Sequence, residues 1–428
     1  MWARKSFTPL LAFWKLSPLF LVLLCMMNFP AEIASVPLFL NLLRLISPKS
    51  LKRAIMNWTE SMSIASQGKK ILILHKGLAD YRLPLFSLLQ KNFGSRLEFW
   101  IFGIPNFKRQ IHSVKTFSSF IPLPILKFSW GILPALFRIG TYDQVVLMGA
   151  HSLEIFFVFF AARLRGIPII FFTETWDYPS RSPRILFYQL LFGFIALRSD
   201  FCLYPGREVR DFYLRLGISS NHLLFAPNSV HPKLCPAAAS LEGISSERKK
   251  ILILARLIPL KNIALGIRAV ELLKDPNVSL AIAYSKKNLI YAAYCRFLAR
   301  RVPSISFIAI KTSEEKCTLF SSADLFLLPS RHFLGRRDVW GFVLNEFLPF
   351  DKPLIATGKV GAAGDLIING KNGYATEDLS PRALARLIKR AFALPLNEVR
   401  KTNQFLLKKY SPERQFSAFK YALTSNND

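Results

Sequence analysis

Two short apolar runs constrain this chain more than any other feature. Lys70-Ile-Leu-Ile-Leu74 and Lys250-Ile-Leu-Ile-Leu254 each place aliphatic residues in unbroken succession behind lysine. A run of this kind, without polar alternation, suits a strand buried on both faces of a parallel sheet. Each run opens a series. After the first come an amphipathic helix over Tyr81–Gln90 and strands at Leu97–Phe102, Gln144–Met148, Ile167–Phe172 and Phe201–Tyr204. Helices over Glu154–Arg165 and Ile185–Leu197 fit between the last three strands. After the second come strands at Ser279–Ala283 and Ile305–Ile308, one ending at Ser330, one ending at Thr357, and a final helix over Pro412–Ala422. Strand–helix alternation predicts two doubly wound α/β domains. No residue-level repeat links them, so a solenoid is not indicated. Leu234–Ser246, rich in Ala, Ser, Pro and Gly, reads as a linker.

The charge balance narrows the partners. The chain has 428 residues, 57 Lys+Arg against 27 Asp+Glu, and a formal net charge of +30. Such an excess implies an anionic partner: nucleic acid, an acidic membrane surface or a phosphorylated ligand. The basic residues are dispersed, and no RNA-binding signature or paired Cys/His finger is present, so a membrane surface outranks nucleic acid. The five cysteines (Cys25, Cys202, Cys235, Cys295, Cys317) form no C-x-x-C pair, so scattered thiols in a reducing compartment are expected. The six histidines show no metal-ligand spacing. Asn57-Trp-Thr59 fits a glycosylation sequon, a triplet common enough by chance to carry little weight.

The first 68 residues differ from the rest. Leu10–Ile46 is almost wholly apolar but is broken by Lys15, Glu32, Arg44 and three prolines. Its uninterrupted core, Leu19–Met27, is short for a bilayer span. Three readings stand: an interfacial or re-entrant anchor backed by the basic stretch Lys49–Arg53, one tilted transmembrane helix, or an upstream stretch from a misplaced start codon. The anchor is favoured, which places the protein at the cytoplasmic face of the cell membrane as a peripheral or monotopic protein. Ile104–Gly140 mixes aromatics with Lys and Arg, as at Phe107-Lys-Arg109 and Lys127-Phe128. It suits a lipid headgroup zone or an amphiphile, or else a core with a basic edge.

The segment richest in chemistry is Ala323–Gly373. Asp338 and Glu346 stand eight positions apart between two apolar strands, followed by Gly361-Ala-Ala-Gly364 and Asn369-Gly-Lys-Asn-Gly373. Carboxylates accept hydrogen bonds from sugar hydroxyls, and glycines let backbone N–H groups approach phosphate. A polyhydroxylated, phosphate-bearing ligand fits this order better than a solvated helix between turns.

Leu252-Ile-Leu-Ala-Arg256 with Lys261 resembles the opening of the C-terminal domain in the family-four retaining glycosyltransferases of the GT-B fold. Phe225-Ala-Pro-Asn-Ser-Val230 resembles the family's Pro-Asn element near the interdomain hinge, and Asp80–Phe86 resembles the start of its first helix. The resemblance covers about Lys69–Tyr421. It implies two Rossmann-like domains facing a cleft plus a hydrophobic N-terminal extension. The divisions are then 1–68 (extension), 69–233 (acceptor domain), 234–248 (linker), 249–408 (nucleotide-sugar donor domain) and 409–428, a helix crossing back to the N-terminal domain.

The resemblance also assigns roles. Arg256 and Lys261 would bind the donor diphosphate, Glu346 the ribose hydroxyls and Asp338 the donor sugar. Asp338 stands where the family has glutamate, which leaves both the sugar and activity itself open. Gly77, Asn228, Gly341, Gly361, Ala362, Ala363 and Gly364 would complete donor binding, with Asp365 turned toward the following helix. The first-strand loop carries one glycine, Gly77, where the family usually has two. Glu174, where many members have histidine, either positions or deprotonates the acceptor hydroxyl or is a loop carboxylate. His151 is a second candidate at a strand end. The implied activity is metal-independent retaining hexosyl transfer from a nucleotide diphosphate sugar to a glycan or lipid-linked acceptor, in polysaccharide or lipopolysaccharide biosynthesis. No cofactor is implied. The alternative is an inactive scaffold that binds a glycan, membrane or protein partner. A dehydrogenase lacks support, because no G-x-G-x-x-G follows either opening strand.

Overall fold

A computed structural model describes residues 69–76, 80–102, 114–117, 120–122, 127–129, 132–149, 153–174, 183–230 and 248–425. The N-terminal extension, the linker over 234–246, Gly77, His151 and Phe107–Arg109 lie outside them.

The first apolar run becomes β1 (Ile71–Lys76), an interior strand of a seven-stranded sheet. Its partners are β2 (Leu97–Phe102), β3 (Val114–Phe117), β6 (Gln144–Met148), β7 (Ile169–Phe172), β8 (Phe201–Tyr204) and β9 (Leu223–Phe225). The order is β3-β2-β1-β6-β7-β8-β9 and every pairing is parallel. A separate hairpin pairs β4 (Phe120–Pro122) with β5 (Lys127–Ser129). Alternation along β1 shows why the run has no polar positions. Leu72 and Leu74 join one core cluster, whereas Ile71 and Ile73 join the cluster on the opposite face. Both faces are covered by helices, so both sets of side chains must be apolar. The helices of this half are α1 (Leu83–Phe93), α2 (Ile132–Leu136), α3 (Leu153–Arg163), α4 (Pro183–Leu197) and α5 (Arg207–Arg215).

The second run becomes β10 (Lys249–Leu254) at the centre of a six-stranded parallel sheet, ordered β12-β11-β10-β13-β14-β15. The other strands are β11 (Val278–Tyr284), β12 (Ile305–Ala309), β13 (Leu325–Leu328), β14 (Leu354–Thr357) and β15 (Gly373–Thr376). Connecting them are α6 (Ile263–Leu273), α7 (Leu289–Ala299), α8 (Ser313–Ser321), α9 (Val343–Phe347) and α10 (Ala363–Leu366). Asn288 and Thr312 cap α7 and α8 with side-chain oxygens that accept amide hydrogens.

After β15 the chain adds α11 (Pro381–Phe392), α12 (Leu396–Lys409) and α13 (Pro412–Thr424). Helix α13 does not pack on the sheet that precedes it. Its Phe419, Ala422 and Leu423 enter the core beside Ile71, Phe86 and Phe172 of the first half. In both sheets the order reverses beside the first strand, at β1/β6 and β10/β13. Such switch points open crevices at the carboxyl ends of the strands. Cys202 and Cys295 are free and buried, as expected for scattered thiols at those two positions.

Candidate functional site

Strand β10 delivers Arg256 just past its carboxyl end, where it is exposed. It forms no ion pair among the described residues. The chain then makes the short turn Pro259–Lys261. Lys261 is buried at its base, and its Nζ pairs with Asp338 Oδ2; the two side chains are 11% and 12% exposed. Ser330 Oγ, at the end of β13, donates a second hydrogen bond to the same oxygen at 2.9 Å. The cation and the carboxylate that the sequence assigned to different parts of a ligand therefore meet each other. Mutual compensation makes their burial tolerable.

Glu346 shows the same pattern. Its Oε1 lies 3.0 Å from Lys316 Nζ on α8, with both side chains about one fifth exposed. Lys316 was not singled out from the sequence, because a lysine in a basic chain has no distinguishing context. The carboxylate retains further lone pairs for a ligand hydroxyl.

The glycine-rich loop is bonded to the carboxylate segment. The amides of Gly361, Ala362 and Ala363 donate to the carbonyls of Asp338, Trp340 and Val360 at 3.0, 2.9 and 3.0 Å. Asp338 and Val360 form a parallel bridge, and the amides of Gly361 and Ala362 fasten the loop to the carboxylate segment. Gly341 turns the chain toward α9 with φ of 89°, and a Cβ there would stand 2.7 Å from Val360 Cγ1. The Gly364 carbonyl accepts a hydrogen bond from the Arg207 guanidinium. Asp365 is not directed into the next helix. Its carboxylate accepts the Arg207 amide at the start of α5 at 3.0 and 3.2 Å, and the Tyr410 hydroxyl at 2.8 Å. Burial raises its pKa, opposed by the hydrogen bond from the Arg207 amide.

The first half places a second charged group opposite. Glu174, just past β7, pairs with Arg82, which is 3% exposed and precedes α1. Burial raises the pKa of Glu174, and the Arg82 charge pulls against that shift. Arg82 Nη1 also donates to Asn228 Oδ1 at 3.3 Å, and its guanidinium lies 4.8 Å from the centre of the Phe172 ring. The Asn228 carbonyl in turn accepts from Asn345 Nδ2 at 3.0 Å, and Asn345 Oδ1 accepts from Trp340 Nε1 at 2.8 Å. Tyr81 stacks on Phe342 with ring centres 3.8 Å apart. Burial, reinforced by Glu174, pushes its phenol up to about 12. Asn228 thus joins the two halves. Tyr81, Arg82 and Asn345 are functional candidates that site reasoning from the sequence passed over, although they sit beside or within motifs already noted.

Among the described residues, no group of three or more His, Cys, Asp or Glu could hold a metal ion. No helix there is long and apolar enough to cross a membrane.

Comparisons with known proteins agree with this architecture. Residues 240–406 match the family model described as glycosyl transferases group 1. No curated protein matches the sequence. The structure is similar to that of HepE from Anabaena in complex with UDP and glucose, with a TM-score of 0.63 and 16% identity over 83% of this chain and 100% of that one. It is similar to a glycosyltransferase from Rickettsia africae, with a TM-score of 0.64 and 14% identity over 85% and 100%. A third likeness is to the lipopolysaccharide outer core galactosyltransferase WaaB in its apo form, with a TM-score of 0.61 and 13% identity over 83% and 99%. The chain has the GT-B fold, two Rossmann-like domains facing a cleft.

Proposed function

We propose that the protein transfers a hexosyl group from a nucleotide diphosphate sugar, with retention at the anomeric carbon, to a glycan or lipid-linked acceptor. The observation that carries this reading is the pairing of Lys261 with Asp338 beside the unpaired Arg256, at the switch point of the second sheet. A diphosphate entering there meets an exposed guanidinium first. It then competes with Asp338 for Lys261, and the displaced carboxylate becomes free to accept a hydroxyl of the donor sugar. Glu346 accepts the ribose hydroxyls.

As the bond from the anomeric carbon to the diphosphate oxygen breaks, positive charge grows on the sugar and negative charge on the leaving group. Arg256 and Lys261 stabilise the latter in a cleft shielded from water. The acceptor oxygen bonds to the anomeric carbon from the same face, and its proton passes to Glu174. The raised pKa of that carboxyl makes its ionised form a better base than an ordinary glutamate. The net charge of +30 favours an acceptor presented at an anionic membrane surface, such as a glycolipid or lipopolysaccharide precursor.

A second reading, an inactive scaffold, is favoured by one observation: Lys261 and Glu346 are both already ion-paired inside the chain. A panel of nucleotide diphosphate sugars, scored by thermal stabilisation and by donor turnover, separates the two. Under the transfer reading at least one donor stabilises the protein and is turned over, and Arg256→Ala or Lys261→Ala lowers turnover by on the order of 10²-fold or more. Wild-type rates in both variants would overturn the assignment, and binding without turnover would leave the scaffold.

A further inference from the structure

A cavity of about 320 Å³ lies between the amino ends of α6, α7 and α11, and none of the residues assigned to the donor lines it. It is at the small end of ligand-pocket sizes. Arg268 and Arg331 line it together with Tyr291, Tyr294 and Asn262, and no Asp or Glu does. Neither arginine forms an ion pair with a carboxylate among the described residues.

The lining is arranged rather than loose. Ala264, Leu265 and Arg268 project from one side of α6, and Tyr291 and Tyr294 from one side of α7. Arg268 Nη2 donates to the Tyr294 hydroxyl at 2.9 Å, which aims the guanidinium along the cavity wall. The Tyr291 hydroxyl accepts the Ala264 amide at 3.2 Å. Asn262 stands at the mouth with φ of 49° and makes no side-chain capping bond to α6. Arg331 is held by its Nε, which donates to the Pro259 carbonyl at 3.1 Å, so the opposite edge of its guanidinium is left for a ligand.

We propose that this cavity binds a phosphomonoester, with free phosphate as its minimal form. Two guanidinium groups without carboxylate partners match the paired oxygens of a phosphoryl group. The Tyr294 ring, 42% exposed, and the Asn262 amide suit a polyhydroxylated body attached to it. The position is also informative. The Arg331 amide donates to the Leu260 carbonyl at 2.9 Å, so the backbone and the side chain of Arg331 both hold the turn that carries Lys261. A phosphoryl group drawn to Arg331 acts on that turn from behind. This regulatory consequence rests on the transfer reading; binding to the cavity does not.

The test is calorimetric titration of the full chain with inorganic phosphate and, separately, with a hexose 6-phosphate. The expected result is saturable binding of at least one probe. Arg268→Ala should weaken it roughly 10-fold or more, and Tyr294→Phe should weaken it in the same direction. Arg256→Ala should leave the affinity within about 2-fold, because that side chain belongs to the donor cleft. The reverse pattern, loss in Arg256→Ala and retention in Arg268→Ala, would place the anion in the donor cleft and overturn the proposal. Absence of saturable binding by both probes would overturn it as well. Either result leaves donor turnover to be judged on its own assay.

Discussion

The two halves of the molecule share one construction and use it differently. Each sheet has its first strand in the interior, runs outward in both directions and reverses beside that strand. At the reversal in the first half, charge is sequestered: Arg82 is buried against Glu174, Asn228 and the Phe172 ring. At the reversal in the second half, one guanidinium is exposed and a lysine shares its carboxylate with a serine. The same backbone thus yields a clasp on one side and, on the other, an exposed arginine beside a buried lysine–carboxylate pair. The difference lies mostly in residues at or just past the strand ends, as expected where rigid strands position variable ends.

The sharpest way to break this comparison is to remove one arginine from each half. Arg82→Ala leaves the partly buried Glu174 without its cation and Asn228 without its donor. Breaking a buried pair from one side costs about 3–5 kcal/mol, so urea unfolding should show a loss in that range. Arg256→Ala removes an exposed side chain with no ion-pair partner, and its stability should stay within about 0.5 kcal/mol of wild type. A stability loss in Arg256→Ala comparable to that in Arg82→Ala would erase the distinction.

Glu174→Gln sharpens the same contrast through pH. The carboxyl of Glu174 has its pKa raised by burial, so the ionised base is lost as pH falls through a value above the ordinary carboxylate range. Under the transfer reading, kcat/KM should therefore carry an acidic limb displaced upward, and Glu174→Gln should abolish that limb while lowering the rate by about 10²-fold. An unchanged limb in the variant would reduce Glu174 to a structural partner of Arg82.

How much of this was legible beforehand follows from the physics of each element. The opening strands were readable because burial on both faces forbids polar positions, as in Ile71–Leu74 and Ile251–Ile253. Strand β9, only three residues long and half-buried, and strand β15, which opens with Gly373, leave no such trace. A Cβ at Gly373 would meet the Leu354 carbonyl oxygen at 1.8 Å, a constraint visible only once the strands are paired. Asp338, Glu346, Arg256 and Lys261 were found through motif order, but their partners were not. Ion pairs such as Lys316–Glu346 depend on which helix faces which, and sequence spacing does not encode that. The contact of Asp365 with α5 joins residues 158 positions apart, beyond any local pattern.

That contact gives the smallest expected effect and the finest comparison, because it fastens one half to the other. Asp365 accepts the Arg207 amide and the Tyr410 hydroxyl, and Gly206 leaves no room beside it: a Cβ there would stand 2.6 Å from Asp365 Oδ2 and 2.5 Å from the Trp340 ring. Burial raises the pKa of Asp365 above that of an unfolded aspartate. The stability attached to that shift is fully present below the unfolded pKa and is lost as pH rises through the folded value. Asp365→Asn keeps an oxygen acceptor but cannot ionise. It should change stability by about 1 kcal/mol at most, and the penalty relative to wild type should shrink as pH is raised from acid to neutral. Urea unfolding across that range checks the sign. A penalty that grows with pH would mean the ionised carboxylate is favoured at the amino end of α5, and that the helix dipole outweighs desolvation there.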